Sequence, residues 1–209
     1  MTVAAGFAGC GTCHLGLYPV VDSVDWLEKL LPLGVRTIQL RVKDCSESEA
    51  NDVTRRAVRI GRRYGARMFI NDYWPAAVRH GAYGVHLGQE DLDGADLAQI
   101  KNAGLRLGIS THSESEWRRA AALQPSYIAL GTVFPTTTKP ATVIGVEKLN
   151  RWAKVLQKKF PLVAIGGIKR HNLHQVLASG VGSVAVASAI TGAEDYREEA
   201  AWFLEKLRR

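Results

Sequence analysis

The chain has no apolar run near the roughly 20 residues needed to cross a bilayer. Residues 1–9 carry neither a positive segment nor a long apolar one. These two lacks argue against a membrane span and a secretory signal, so the expected location is cytoplasmic. Only three cysteines occur in 209 residues, which suits a reducing compartment where thiols persist. No linker, low-complexity tract or strong repeat divides the sequence. Its length supports one sizeable core and is short for two domains. No G-x-G-x-x-G follows the first apolar run, so an open dinucleotide-binding sheet lacks its fingerprint. A Ser or Cys nucleophile with a base and an orienting acid is also not evident.

Charge is not balanced, with a formal net charge of +7. Such a balance fits nucleic acid, anionic membranes or small anionic substrates. Arg55, Arg56, Arg59, Arg62 and Arg63 form a cluster at helical spacing. No aromatic residues are interleaved with it, so single-strand stacking is poorly supported and a solvated helix face is the simpler reading. That leaves small anionic molecules as the expected partners, with no nucleic acid and no membrane. Assembly into a homo-oligomer stays open.

Cys10-Gly11-Thr12-Cys13-His14 matches the haem-attachment pattern C-x-x-C-H. The absence of an export signal and the position before the first strand argue against haem. A metal half-site with Cys45 lacks a second ligand pair of matching spacing. Residues 1–14 are expected to form a flexible arm, with residues 15–209 as the catalytic domain. His171 and His174 are expected to open a surface helix.

Short apolar runs recur at regular intervals. They predict strands over 17–21, 37–42, 67–70, 84–87, 105–109, 127–130, 162–165 and 183–187. Most are continuously apolar, as in strands buried on both faces. Helical patterns lie between them over 25–31, 46–64, 95–102, 113–123, 146–158, 172–179 and 195–207, with a weaker one over 75–80. Ser46 and Glu49 form a capping-box pattern at the head of the second helix. Gly34, Gly65, Gly81, Gly104 and Gly180 stand where helices should end. Eight strands alternating with helices predict an α/β fold, a single closed (β/α)8 TIM barrel.

In such a barrel the chemistry sits where strands end. After the second expected strand, alternation puts Gln39, Arg41 and Lys43 on one face, interleaved with Leu40 and Val42. Two cations and an amide in a barrel mouth call for an anion. Asn71 and Asp72 follow the third strand; His86, Gly88, Gln89, Glu90 and Asp91 end or follow the fourth. Asp72 and Asp91 suit Mg²⁺, which takes one or two carboxylates plus substrate phosphates; helix capping is the alternative for each. His86 reads as packing within its strand. Ser110 is a phosphate-binding candidate, with Thr111 and His112 beside it. Phe134-Pro135-Thr136-Thr137-Thr138-Lys139 concentrates hydroxyls and an ammonium on one loop. Gly166 and Gly167, then Ala187, Ser188, Ala189 and Ile190, follow the last two strands, the recurrent phosphate site of this fold. Together these residues read as a charged diphosphate site and a neutral monophosphate site.

QLRVKD (39–44), FINDYW (69–74), GVHLGQED (84–91), GLRLGIST (104–111), VFPTTTK (133–139), VAIGGI (163–168) and VASAI (186–190) resemble the thiamine-phosphate synthase family. The resemblance runs from about residue 15 to residue 200. It implies a (β/α)8 barrel that joins hydroxymethylpyrimidine diphosphate to hydroxyethylthiazole phosphate and releases diphosphate by a dissociative path. It implies Mg²⁺ on Asp72 and Asp91. It implies pyrimidine-diphosphate contacts from Gln39, Arg41, Lys43, Asn71, Ser110 and Lys139, of which Lys139, Arg41, Lys43 and Ser110 form the catalytic set. Thr136, Thr137, Thr138, Gly166, Gly167, Ala187 and Ser188 resemble the thiazole-phosphate site. Residues 140–144 are not diagnostic of the family and are expected to close over the diphosphate. A thiazole-phosphate isomerase, or a noncatalytic ligand binder on the same barrel, is the alternative.

Overall fold

Eight short parallel strands close into a barrel in strict chain order, β1-β2-β3-β4-β5-β6-β7-β8. The computed structural model describes residues 6–136 and 142–208. The elements run β1 (Gly16–Val21), α1 (Val24–Leu30), a 3-10 turn (Leu31–Leu33), β2 (Thr37–Leu40), α2 (Glu47–Arg63), β3 (Arg67–Asn71) and α3 (Trp74–His80). They continue through β4 (Gly84–Leu87), α4 (Asp91–Gly94), α5 (Leu97–Asn102), β5 (Arg106–Thr111), α6 (Glu114–Ala122) and β6 (Tyr127–Leu130). The last are α7 (Gly145–Leu156), β7 (Leu162–Ile165), α8 (Leu173–Leu177), β8 (Ser183–Val186), α9 (Ser188–Thr191) and α10 (Tyr196–Lys206).

The strands read as continuous apolar runs because each faces two cores. Outward positions such as Leu40, Ile70, Leu87, Leu107 and Leu130 pack in the cluster shared with the helices. Full burial of each such side chain is worth about 1.5–3 kcal/mol relative to exposure. Inward positions Tyr18, Phe69, Tyr127, Ala129, Val163 and Ala185 fill the barrel. The Tyr18, Phe69 and Tyr127 rings meet at 5.3–5.8 Å between centroids, within the range of favourable aromatic pairs.

Local signals set the element ends. The capping box on α2 is present: Ser46 accepts from the Glu49 backbone, and Glu49 accepts from the Ser46 backbone. Gly34 and Gly81 end their helical turns with φ of 102° and 61°, a region where a side chain is costly. Differences from expectation lie at the edges. β2 stops at Leu40, short of residue 42, whereas β5 runs on to Thr111 because Ser110 and Thr111 still pair with Ala129 and Leu130. The single-turn helices α4 and α9 have no sequence signal, since four residues are too few to show a helical period.

Residues 6–14, part of the expected arm, contact the N-terminal end of the barrel. Phe7 N–H donates to Gln124 O at 3.0 Å, Ser126 Oγ to Ala8 O at 2.6 Å and Tyr83 Oη to Cys10 O at 3.0 Å. Cys10 is buried in the barrel-interior cluster with Leu15 and Tyr18, whereas Cys13 is exposed. Burial pushes the Cys10 thiol up to about 11.

Gly84 shows how closely the interior is packed. A Cβ there would lie 2.5 Å from Phe69 Cε1 and 2.6 Å from Arg106 O, the second being backbone that cannot rotate away. Gly84→Ala should therefore lose about 1–3 kcal/mol of stability by overpacking. Urea unfolding checks this, and an unchanged midpoint would contradict the packing described.

Candidate active site

Parallel closure puts every strand's C-terminal end at one mouth. β3 and β4 are neighbours, with Asn71 opposite His86. The Asp72 N–H donates to His86 O at 3.1 Å, which holds the two following loops together. Asp72 has φ of 59°, a conformation uncommon outside glycine and found preferentially at functional sites. It is not a helix cap: Tyr73 holds that place on α3. Asn71 Nδ2 instead donates to Asp72 Oδ2 at 2.5 Å. Asp91 opens α4, and its Oδ2 accepts the Gly88 N–H at 3.1 Å, a cap-like bond that leaves its other oxygen for further partners.

Asp72 carries the clearest electrostatic mark in this mouth. Burial, then the charge and hydrogen bonding of Asp91, push its carboxyl from 3.8 up to about 6, against the opposing pull of Arg41 and Asn71. Arg41 is half-buried, and its backbone N–H donates to Val21 O at 2.7 Å. Gln39 is buried inside the barrel, with Nε2 at 3.3 Å from Tyr18 Oη. Leu40 faces the helices and is fully buried, so only its backbone is available to a ligand. Val42 packs against the same outer core. Lys43 lies past the end of β2 and is exposed, so strand alternation no longer fixes its direction.

Ser110, next to last in β5, lies inside the mouth, with Oγ at 2.7 Å from His86 Nε2 and its carbonyl accepting from Gln89 Nε2 at 2.8 Å. Thr111 turns away and donates to Ala129 O at 2.9 Å. His112 pairs with Glu116 at 3.0 Å and belongs to the head of α6.

On the other side, the loops after β6 and β7 are joined. Val133 N–H donates to Ile165 O at 2.9 Å, and Phe134 N–H to Gly166 O at 3.0 Å. Gly167 has φ of 63°, and a Cβ there would lie 2.5 Å from Pro135 O. The glycines thus admit the neighbouring loop's backbone, which brings Thr136 to the glycine turn. Ala187 is half-buried, and the exposed Ser188 opens α9 after β8. Thr137, Thr138, Lys139 and Pro140 lie outside the described residues. Among the described residues no group of three or more His, Cys, Asp or Glu side chains gathers as a metal cluster; the carboxylates come as a pair.

The sequence profile of the family described as thiamine monophosphate synthase matches residues 17–190. The chain belongs to this family. It is an enzyme, a transferase. It is 58% identical over 196 residues to a protein named thiamine-phosphate synthase from Pectobacterium atrosepticum, covering 93% of this chain and 92% of that one. A protein of the same name from Klebsiella pneumoniae is 59% identical over 186 residues, 88% of each chain. The solved thiamine phosphate pyrophosphorylase from Pyrococcus furiosus has a TM-score of 0.81 and 34% identity, covering 92% of this chain and 95% of that one.

Three features of this synthase-family mouth are not evident from the sequence. His86 reads there as a packed strand residue, yet both its ring nitrogens are engaged. Tyr18 and Tyr127, which read as ordinary strand residues, meet at 2.9 Å between hydroxyls. Their inward direction depends on which face of β1, β4 and β6 meets the barrel interior, which the continuously apolar runs do not reveal.

A carboxyl whose folded pKa is raised binds its proton more tightly when folded. Its contribution to stability is present below about pH 4 and is lost as pH rises through about 6. Asp72→Asn in EDTA should therefore be more stable than wild type at pH 8, with the gap closing below about pH 4. Chemical denaturation across pH checks this, and a gap independent of pH would contradict the burial and repulsion assigned to Asp72.

Proposed function

We propose that the protein is a Mg²⁺-dependent thiamine-phosphate synthase. It transfers a pyrimidinylmethyl group from hydroxymethylpyrimidine diphosphate to the ring nitrogen of hydroxyethylthiazole phosphate and releases diphosphate. The convergence of Asp72, Asp91 and Arg41 at one barrel mouth carries this reading, and family membership supports it. A thiazole-phosphate isomerase would have no use for these three together, and a noncatalytic binder would bind the ligands without turnover.

The donor set fits a hard divalent cation: two neighbouring carboxylates, one of them protonating too readily because burial, and then its partner's charge, disfavour its ionised form. Asp72 and Asp91 would hold Mg²⁺. When bound, Mg²⁺ supplies positive charge to the diphosphate oxygens. The substrate's methylene–oxygen bond breaks first, and its electron pair leaves with diphosphate. The thiazole nitrogen then gives its lone pair to the methylene carbon. Arg41, Lys43 and Lys139 stabilise charge on the leaving group, the kind of effect that is usually the largest catalytic contribution. Gln39, Asn71 and Ser110 orient the pyrimidine diphosphate, helped by the backbone around Leu40 and Val42. Thr136, Thr137, Thr138, Gly166, Gly167, Ala187 and Ser188 take the thiazole phosphate. No helix among the described residues is long and apolar enough to cross a membrane, and the reading places the enzyme in the cytoplasm.

A coupled assay for thiamine phosphate tests this. Product should require both substrates and Mg²⁺. Asp72→Ala, Asp91→Ala and Lys139→Ala should each lower turnover by roughly 10²-fold or more, as loss of one electrostatic donor does. Their melting temperatures should fall by no more than a few degrees, about the loss of one cap-like bond. Wild-type turnover in either Asp variant would reject the metal assignment, and in Lys139→Ala it would reject the role given to that ammonium.

A further inference from the structure

Gln39, Tyr18, Tyr127, His86 and Ser110 form one unbroken line of hydrogen bonds through the barrel, drawn from β2, β1, β6, β4 and β5. Gln39 Nε2 lies 3.3 Å from Tyr18 Oη, which lies 2.9 Å from Tyr127 Oη. Tyr127 Oη lies 2.7 Å from His86 Nδ1, and His86 Nε2 lies 2.7 Å from Ser110 Oγ. Both tyrosines are fully buried, at 1% and 0% exposure, so bulk water does not compete for these bonds.

Counting protons gives the line a direction. The amide nitrogen of Gln39 can only donate, a phenol has one proton to give, and a neutral imidazole has one donor and one acceptor. Burial raises both phenols well above their ordinary value, so both keep their protons. Gln39 therefore donates to the Tyr18 oxygen, and Tyr18 to Tyr127. Tyr127 donates to His86 Nδ1, which must accept. The remaining ring proton sits on Nε2 and is given to Ser110 Oγ. Ser110 has its own proton left, and its bond from His86 turns that proton away from the imidazole.

We propose that His86 is a positioning residue, held by Tyr127, Tyr18 and Gln39 as the neutral Nε2–H tautomer, which fixes Ser110 as a hydrogen-bond donor to substrate. For the substrate this rests on the proposed function. There it requires the pyrimidine diphosphate to present a lone pair, not an N–H, to Ser110. No proton is transferred along the line; it orders the hydroxyls before substrate arrives. It also links opposite walls of the barrel, so Gln39 and Ser110 are oriented together.

Two-bond ¹⁵N–¹H NMR at pH 7 without substrate tests this, with His86 assigned by its loss in His86→Gln. The wild type should show Nδ1 as a non-protonated nitrogen and Nε2 as a protonated one. An Nδ1–H tautomer or a doubly protonated ring would overturn the proposal. Tyr127→Phe removes the donor to Nδ1, so the Nδ1 resonance should move toward that of a lone pair with no hydrogen bond. KM for the pyrimidine diphosphate should rise about fivefold, the worth of one hydrogen bond, with kcat within about twofold. An unchanged Nδ1 resonance in that variant would also overturn the proposal. Gln39→Met, which removes the donor at the end of the line, should shift the Nδ1 resonance in the same direction by a smaller amount; a spectrum identical to wild type would contradict the direction assigned. The tautomer is read without turnover. A wild type inactive on these substrates would therefore fail the proposed function, while the spectrum would still decide the state of His86.

Discussion

Two carboxylates pressed together at a barrel mouth are the constraint on which the site depends. Burial and the neighbouring charge of Asp91 both work against ionisation of Asp72. Arg41 and Asn71 oppose them and do not cancel them. The backbone of Asp72 adds a second strained feature, a left-handed φ at a residue with a side chain. Folding alone gives little reason to keep such an arrangement. A cation bridging the carboxylates to an anionic substrate would relieve the repulsion, which is why the unfavourable pair is the most informative part of the molecule.

The barrel makes this placement possible. Its outer core locks the strands to the helices, and its aromatic inner core fixes their register. That register sets Asn71 opposite His86 and so brings the loops bearing Asp72 and Asp91 side by side. On the other side, backbone bonds from Val133 and Phe134 bring the chain as far as Thr136 to the glycine turn at Gly166 and Gly167. Between the two sides runs the hydrogen-bonded line from Gln39 to Ser110. The neutral and the charged parts of the mouth are therefore carried by one closed barrel.

Much of this is legible in the chain. Runs such as Tyr127–Leu130 and Leu162–Ile165 read as strands because both faces are buried, and the structure has them with the expected bounds. The Ser46 capping box is equally plain, since its two residues interact across a single turn. Asp72 and Asp91 can be picked out because carboxylates after consecutive parallel strands must reach the same rim. What stays hidden depends on long-range geometry. β2 ends early and leaves Lys43 exposed. The Gly166–Gly167 turn is filled by a partner loop known only from the fold. The bond between Tyr18 and Tyr127 spans 109 positions and follows from barrel closure, with no local sequence pattern to announce it.

Calorimetric titration of inorganic diphosphate into the protein, with Mg²⁺ present or with EDTA, bears most directly on the carboxylate pair. If Asp72 and Asp91 anchor a metal-bound diphosphate, binding should be strong with Mg²⁺, at least about tenfold weaker in EDTA, and equally weakened in Asp72→Ala with Mg²⁺ present. Equal affinity under all three conditions would show that the diphosphate is held without the carboxylates and would contradict the role given to them.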